Sequence, residues 1–290
     1  MTVQQLCDPA IIREILGKNG FRFSKSMGQN FLIDPSVPLR IAEEAGIGPD
    51  TGVLEVGPGI GCLTSCLAPW AGKVVCLELD TALQPILART LEEYGNVEVV
   101  YGDALKTDLP SLAAEKFAGL RPVVCANLPY NITSPLITAF LEAGCFETVT
   151  VMVQKEVARR MAAKPGTADY SAFSVLVQWY AQPELLFDVP PHCFMPAPKV
   201  TSNVIRLQKR ADPPAEVPDT ALFFRTVRAA FSQRRKTLVN ALGAGFGTLS
   251  KQQLADIIAS CGFDERVRGE ALSIPEFAKL AQALANAGNL

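Results

Sequence analysis

Five short, β-branched apolar runs recur between Val53 and Leu207: VLEV (53–56), KVVCLEL (73–79), VEVVY (97–101), PVVCANL (122–128) and TVTVMV (148–153). Segments long enough for a helix separate them. Runs that are apolar at nearly every position are strands covered on both faces, and such spacing belongs to a parallel sheet with crossover helices. An open α/β fold is therefore expected. The chain can bury the core this requires: of its 290 residues 49% are hydrophobic and 19% charged. A chain this long hides on the order of 75% of its unfolded surface, which excludes disorder.

Two further extended runs follow, LVQWYAQPELLFDV (176–189) and VTSNVIRL (200–207), joined by the proline-rich PPHCFMPAPK (190–199). They read as an antiparallel pair at one edge of the sheet. QKRADPPAEVPD (208–219) is polar with three prolines, as a linker should be, and everything after it has helical spacing. Ser250 is placed to cap one helix, and Ser273 with Glu276 forms a capping-box pattern ahead of another. The expected organisation is a sheet domain over 1–210, a linker over 211–218 and a smaller all-helical domain over 219–290.

Several function classes drop out. No apolar stretch reaches the roughly 18–20 residues needed to cross a bilayer. The first residues, MTVQQLCDPAIIREIL, lack a basic region followed by an apolar one, so a cytoplasmic location is expected; a monomer is expected as well. Eight cysteines at 7, 62, 66, 76, 125, 145, 193 and 261 show no CxxC spacing, which argues against a metal site and for buried, reduced thiols. His192 is the single histidine, a poor basis for acid–base chemistry on imidazole. The net charge of −2 gives no global reason to expect a nucleic-acid partner.

The first run ends in E-V-G-P-G-I-G (55–61), a turn where a ligand can approach the backbone at the carboxyl edge of a sheet. Gly57, Gly59 and Gly61 give GxGxG where the dinucleotide fingerprint is GxGxxG, and Pro58 removes an N–H that could hold a diphosphate. That disfavours a nicotinamide-dependent oxidoreductase. Glu78 closes the second run, where a carboxylate can accept both hydroxyls of a ribose. Asp103, after the third, is placed to accept from the amine of an adenine. An adenosine without phosphate suits this trio. EVGPGIG, ELD and GDA resemble the successive S-adenosylmethionine motifs of Rossmann-like methyltransferases.

The fourth run ends in Asn127-Leu128-Pro129-Tyr130, similar to the D/N/S-P-P-Y/F/W sequence of methyltransferases that modify exocyclic or amide nitrogens. An aromatic amine conjugates its lone pair into the ring and is a weak nucleophile until acceptors hold its N–H groups. The Asn127 side-chain oxygen and the Leu128 carbonyl can be those acceptors. Pro129 fixes the backbone between them and Tyr130 offers a stacking face worth roughly 1–3 kcal/mol.

SMGQNFLID (26–34), NLPYNITSPL (127–136), VQKEVARRM (153–161), CFMPAPKVTSNVIRL (193–207) and AFSQRRKTL (230–238) together resemble the small-subunit ribosomal RNA adenine dimethyltransferase family over nearly the whole chain. The resemblance implies S-adenosylmethionine held by Asn30, Leu32, Gly57, Gly59, Glu78, Asp103 and Asn127. It implies a target-adenine pocket at Asn127, Leu128, Pro129 and Tyr130, with Phe194 over the other face of the base. The substrate it implies is a pair of adjacent adenosines in a hairpin near the 3′ end of 16S ribosomal RNA in the small subunit, each dimethylated at N6. Two rivals remain: a large-subunit adenine methyltransferase of the macrolide-resistance type, and a ribosome assembly factor without catalysis. From residues alone, Gln29 and Asn30 read as a polar turn before a helix starting at Asp34-Pro35.

Residues 221–240 carry Arg225, Arg228, Arg234, Arg235 and Lys236 and no acid. On a helical projection all but Arg234 share one arc, so a break is expected near Ser232-Gln233, with Ser232 opening a second helix. Lys155, Arg159, Arg160 and Lys164 form a second basic cluster. Both suit RNA phosphates, with affinity that falls steeply with salt.

Overall fold

The computed structural model describes residues 1–20 and 30–287. The S-M-G-Q portion of the first family segment, including Gln29, lies outside the described residues. In chain order the elements are α1 (Val3–Leu6), α2 (Pro9–Lys18), β1 (Phe31–Leu32), α3 (Ser36–Glu44), β2 (Thr51–Val56), α4 (Cys62–Leu67), β3 (Lys73–Glu78), α5 (Gln84–Thr90), β4 (Val97–Tyr101), α6 (Leu109–Lys116), β5 (Arg121–Asn127), α7 (Thr133–Ala143) and β6 (Thr148–Gln154). They continue as α8 (Lys155–Met161), α9 (Ala172–Tyr180), β7 (Ala181–Val189), β8 (Phe194–Met195), β9 (Ser202–Lys209), α10 (Thr220–Ser232), α11 (Leu238–Gly245), α12 (Lys251–Ser260) and α13 (Ile274–Asn286).

All five anticipated strands form, in one seven-stranded sheet of order β4-β3-β2-β5-β6-β9-β7. β2 pairs in parallel with β3 and β5, β3 with β4, and β5 with β6. β9 runs antiparallel to β6, with β7 outside it. The order reverses at β2, and such a switch point opens a ligand crevice at the carboxyl ends of the strands. β2 is buried at every position, as its continuous apolar run requires. A separate two-stranded ribbon pairs Phe31 with Met195 and Leu32 with Phe194.

The chain divides into two compact units, Met1–Ala158 with Gln182–Lys209, and Arg159–Ala181 with Arg210–Leu290. The helical unit is thus built from two pieces of sequence, where a single piece over 219–290 was expected. Tyr170, Val175 and Trp179 belong to its core, beside Phe223, Leu242 and Phe277. The stretch 176–180, expected to be extended, is therefore the end of helix α9. Ser171 caps that helix, accepting the Ser174 N–H at 3.4 Å. Val175 and Trp179, four residues apart on one face, bury together, and tertiary packing overrides the strand preference of V-L-V-Q-W-Y.

The caps at Ser250 and Ser273 form as expected, each as a full capping box. The helix expected to start at Asp34-Pro35 begins at Ser36 with Pro35 in the N-cap position, and Asp34 accepts the Ser36 N–H at 3.0 Å. The break after Ser232 also occurs, but Ser232 ends α10 and donates to the Ala229 carbonyl at 2.7 Å. Thr237 precedes the next helix. Arg235 and Lys236 lie in the intervening turn, so the expected four-residue helical stripe reduces to Arg225 and Arg228.

Candidate functional site

A cavity of about 260 Å³ opens at the carboxyl ends of β2, β3, β4 and β5. This is close to the lower bound of the roughly 300–1,000 Å³ usual for small-molecule sites. Asn30, Leu32, Gly57, Gly59, Glu78, Asp103, Asn127, Leu128, Pro129 and Tyr130 all line it. Parallel register assembles them: Val56 faces Leu77, Glu78 faces Tyr101, and Asn127 faces Met152, so the residues after each strand emerge along one edge.

The glycine turn needs left-handed backbone. Gly57 has φ 71° and Gly59 φ 61°, and a Cβ on Gly59 would meet the Phe31 ring at 3.1 Å. The Gly57 N–H donates to the Leu77 carbonyl at 2.9 Å, tying the turn to β3. On the next strand, Glu78 is 6% exposed. Its Oε1 accepts the Asp80 N–H at 2.8 Å. Burial pushes its carboxyl above the ordinary value, and the Asp80 N–H opposes this. Asp103 accepts the Leu105 N–H at 3.0 Å and its other oxygen lies 3.6 Å from Lys106 Nζ.

The turn after β5 is fastened at several points. The Leu128 N–H donates to the Met152 carbonyl at 3.1 Å. Thr133 Oγ1 donates to the Pro129 carbonyl at 3.0 Å. The Tyr130 and Ser202 hydroxyls share a hydrogen bond of 2.6 Å. Burial holds the Tyr130 phenol above its ordinary pKa, so it is protonated at neutral pH.

Phe194 does not line the cavity. It is 2% exposed in the core of the sheet unit, paired with Leu32 across the ribbon. Glu55 does line the cavity, although sequence reading had it only as the first letter of the glycine motif. It is 1% exposed, accepts from Thr64 Oγ1 at 2.6 Å, and burial raises its pKa to about 7. A carboxylate within the otherwise apolar V-L-E-V was the available signal. Leu79 and Leu105, each just beyond a strand-end carboxylate, are large apolar side chains left exposed at the cavity.

The basic residues divide by partner. Lys155 pairs with Asp188 at 2.5 Å and Arg159 with Asp169 at 3.3 Å, while the Arg160 guanidinium lies 5.8 Å from the Phe173 ring centroid. Arg225 donates to the Gly245 carbonyl at 2.8 Å and stacks on Phe246. Arg234 pairs with Glu270 at 2.8 Å and donates to the Ala168 carbonyl. Arg228, Arg235 and Lys236 are exposed and form no ion pair among the described residues. Seven of the eight cysteines are buried and all are free thiols. No metal-binding group of His, Cys, Asp or Glu occurs among the described residues. No helix among them is long and apolar enough to cross a membrane.

Sheet order, glycine turn and strand-end carboxylates define a Rossmann-like methyltransferase. Comparison with known proteins narrows this. Residues 20–285 match the family model described as ribosomal RNA adenine dimethylase, and the chain belongs to that family. It is 48% identical over 285 residues to the ribosomal RNA small subunit methyltransferase A of Geobacillus thermodenitrificans, covering 97% of both chains. To the protein of the same name from Alkaliphilus metalliredigens it is 47% identical, covering 98% and 99% of the two chains. Among solved structures it resembles a dimethyladenosine transferase from Plasmodium falciparum, with TM-score 0.73 and 28% identity over 89% of this chain and 98% of that one. It also resembles the 23S rRNA methyltransferase ErmE, with TM-score 0.66 and 29% identity over 88% and 99%. The chain is accordingly an enzyme of the rRNA adenine dimethyltransferase type.

Proposed function

We propose that this enzyme dimethylates N6 of two adjacent adenosines in the 16S ribosomal RNA of the small subunit, using S-adenosylmethionine. The observation that carries the reading is the meeting of two half-sites in one cavity: Glu78 and Asp103 at one part of its wall, Asn127 to Tyr130 at another. The small-subunit names of its relatives, at nearly half identity over the full length, favour that substrate over large-subunit RNA.

The cavity fits an adenosine-bearing cofactor on its own chemistry. Glu78 is a buried acceptor at a strand end, suited to ribose hydroxyls; Asp103 is an acceptor for an adenine amine; Leu79 and Leu105 supply apolar surface between them. Asn30 and Leu32 close the site from the ribbon, and Gly57 and Gly59 let the backbone approach the ligand. Bound there, S-adenosylmethionine supplies an electrophilic methyl carbon. The protein's part is to hold the acceptor nitrogen. Asn127 Oδ1 and the Leu128 carbonyl take the amine's N–H groups, drawing nitrogen out of conjugation, while Tyr130 stacks on the base. Alignment of nitrogen with the transferred carbon then supplies much of the acceleration. The methylated nitrogen sheds its proton readily, so no strong base is needed. Phe194 supports the site from the core through its pairing with Leu32. The helical unit and the Lys155, Arg159 and Arg160 segment hold phosphates.

Labelled methyl transfer to unmodified small subunits, followed by mass spectrometry of the digested RNA, tests the assignment. Dimethyladenosine at two neighbouring positions is expected. Label confined to large subunits, or none on either, overturns it.

A further inference from the structure

We infer that Ser202 is a positioning residue for Tyr130, holding the plane of the ring on which the target base stacks; this rests on the proposed function. Tyr130 follows β5, whereas Ser202 opens β9, two strands away in the sheet. The two come from sequence segments 72 residues apart, and their hydroxyls meet at 2.6 Å. Ser202 is fully buried, so its hydroxyl is presented to the phenol on a side chain with no freedom to wander.

The backbone around Ser202 is pinned on both sides. Ser202 stands opposite Gln154 in the β6–β9 register, and the preceding Thr201 carbonyl accepts the Lys155 N–H at 3.0 Å. The following Asn203 donates from Nδ2 to Asp188 at 2.9 Å, and Asp188 pairs with Lys155 at 2.5 Å. At the other end of the ring, Thr133 fastens the Pro129 carbonyl at 3.0 Å. A tyrosine side chain has two rotatable bonds. With its backbone held by the turn after β5 and its hydroxyl held by β9, both are fixed. A stacking face fixed before the base arrives spares the base that ordering cost.

The arrangement also explains why β9, a strand between β6 and β7 that runs antiparallel to β6, matters to a cavity formed by other strands. Its first residue reaches that cavity through the phenol. Ser202 touches neither base nor cofactor in this scheme, so its effect travels only through Tyr130.

A double-mutant cycle tests this with the full-length enzyme and unmodified small subunits. Ser202→Ala and Tyr130→Phe are each expected to lower kcat about fivefold to tenfold, the size of one hydrogen bond. Both should leave the S-adenosylmethionine Kd, read by calorimetry, within twofold of wild type. The double variant should lose no more than either single one, because each removes the same bond. Multiplying losses, or a Ser202→Ala enzyme matching wild type while Tyr130→Ala is impaired, overturn the anchoring and leave the functional reading standing. A wild-type enzyme that puts no methyl on adenosine in small subunits overturns both. A loss through misfolding would appear as weakened cofactor binding in Ser202→Ala and not in Tyr130→Phe, and that outcome also counts against the anchoring.

Discussion

Glu55 and Glu78 both line the cavity, yet their environments set them different tasks. Glu78 accepts from a backbone N–H, that of Asp80, whereas Glu55 is almost wholly buried and accepts from the Thr64 hydroxyl. The Glu55 carboxyl titrates at about 7 in the folded chain, against about 4.5 for a solvated glutamate. Below pH 4.5 both folded and unfolded chains hold the proton and the native state suffers no penalty. As pH rises through 4.5 to 7 the unfolded chain releases its proton while the folded one retains it, and stability falls. A shift of this size corresponds to roughly 3 kcal/mol, fully lost above about pH 7. Glu55→Gln is therefore expected to raise Tm relative to wild type at pH 8 and far less at pH 5; parallel pH profiles of Tm would show that burial is not penalising the charge. Glu78→Ala removes the proposed ribose acceptor, and S-adenosylmethionine binding measured by calorimetry should weaken about tenfold to a hundredfold. Unchanged affinity would remove Glu78 from the cofactor site. Gly57, Glu78, Asp103 and Asn127 were legible because each stands at or just beyond the end of an apolar run, whereas Asn30 and Leu32 were reached only through the family resemblance. Glu55 was legible only as an anomaly within such a run, since nothing in a sequence says whether a strand carboxylate is paired inside.

The strands β2, β3, β5 and β6 could be read directly because burial on both faces leaves no polar alternation to confuse them, and β4, half-buried at the sheet edge, was legible through its β-branched V-E-V-V-Y. Helix α9 could not: its β-branched and aromatic residues favour a strand, and only the helical core that receives Val175 and Trp179 decides otherwise. The Trp179 ring centroid lies 4.3 Å from that of Phe223. Trp179→Ala is expected to cost about 3–5 kcal/mol of stability by denaturant unfolding, the usual cost of emptying an aromatic core site. A change under 1 kcal/mol would mean that α9 is peripheral to that core. The glycine turn was read correctly for the opposite reason, since three glycines in five residues leave few alternatives. Gly59→Ala must place a side chain at φ 61° and 3.1 Å from Phe31, which displaces β1 with Asn30 beside it. Weaker cofactor binding is expected in that variant, and affinity equal to wild type would show that the turn tolerates a side chain.

At the scale of the whole chain, a protein with 27 basic and 29 acidic residues must hold RNA through local placement of charge. The sequence shows where the positive charge lies but not which part of it is already engaged. In residues 221–240, Arg225 is turned to Gly245 and Phe246, and Arg234 to Glu270 and Ala168. These partners lie 20 or more residues away in the chain, with Ala168 contributed by the other sequence piece of the helical unit, and no local pattern discloses them. Arg228, Arg235 and Lys236 remain exposed without an ion pair among the described residues, and their charges can displace counterions from RNA at no cost to the fold. Each phosphate contact on a nucleic acid adds about 0.7–0.9 to the slope of log affinity against log salt concentration. The triple alanine variant at these positions should therefore flatten that slope by about two to three units, with its thermal melt unchanged. Arg234→Ala should behave in the opposite way, lowering Tm through the loss of its Glu270 and Ala168 contacts while altering the slope by less than one unit. Binding of labelled small-subunit RNA measured between 50 and 200 mM salt decides the matter. A triple variant with the wild-type slope would place the phosphate contacts elsewhere, and a steep loss of slope in Arg234→Ala would mean that its ion pair opens to receive RNA.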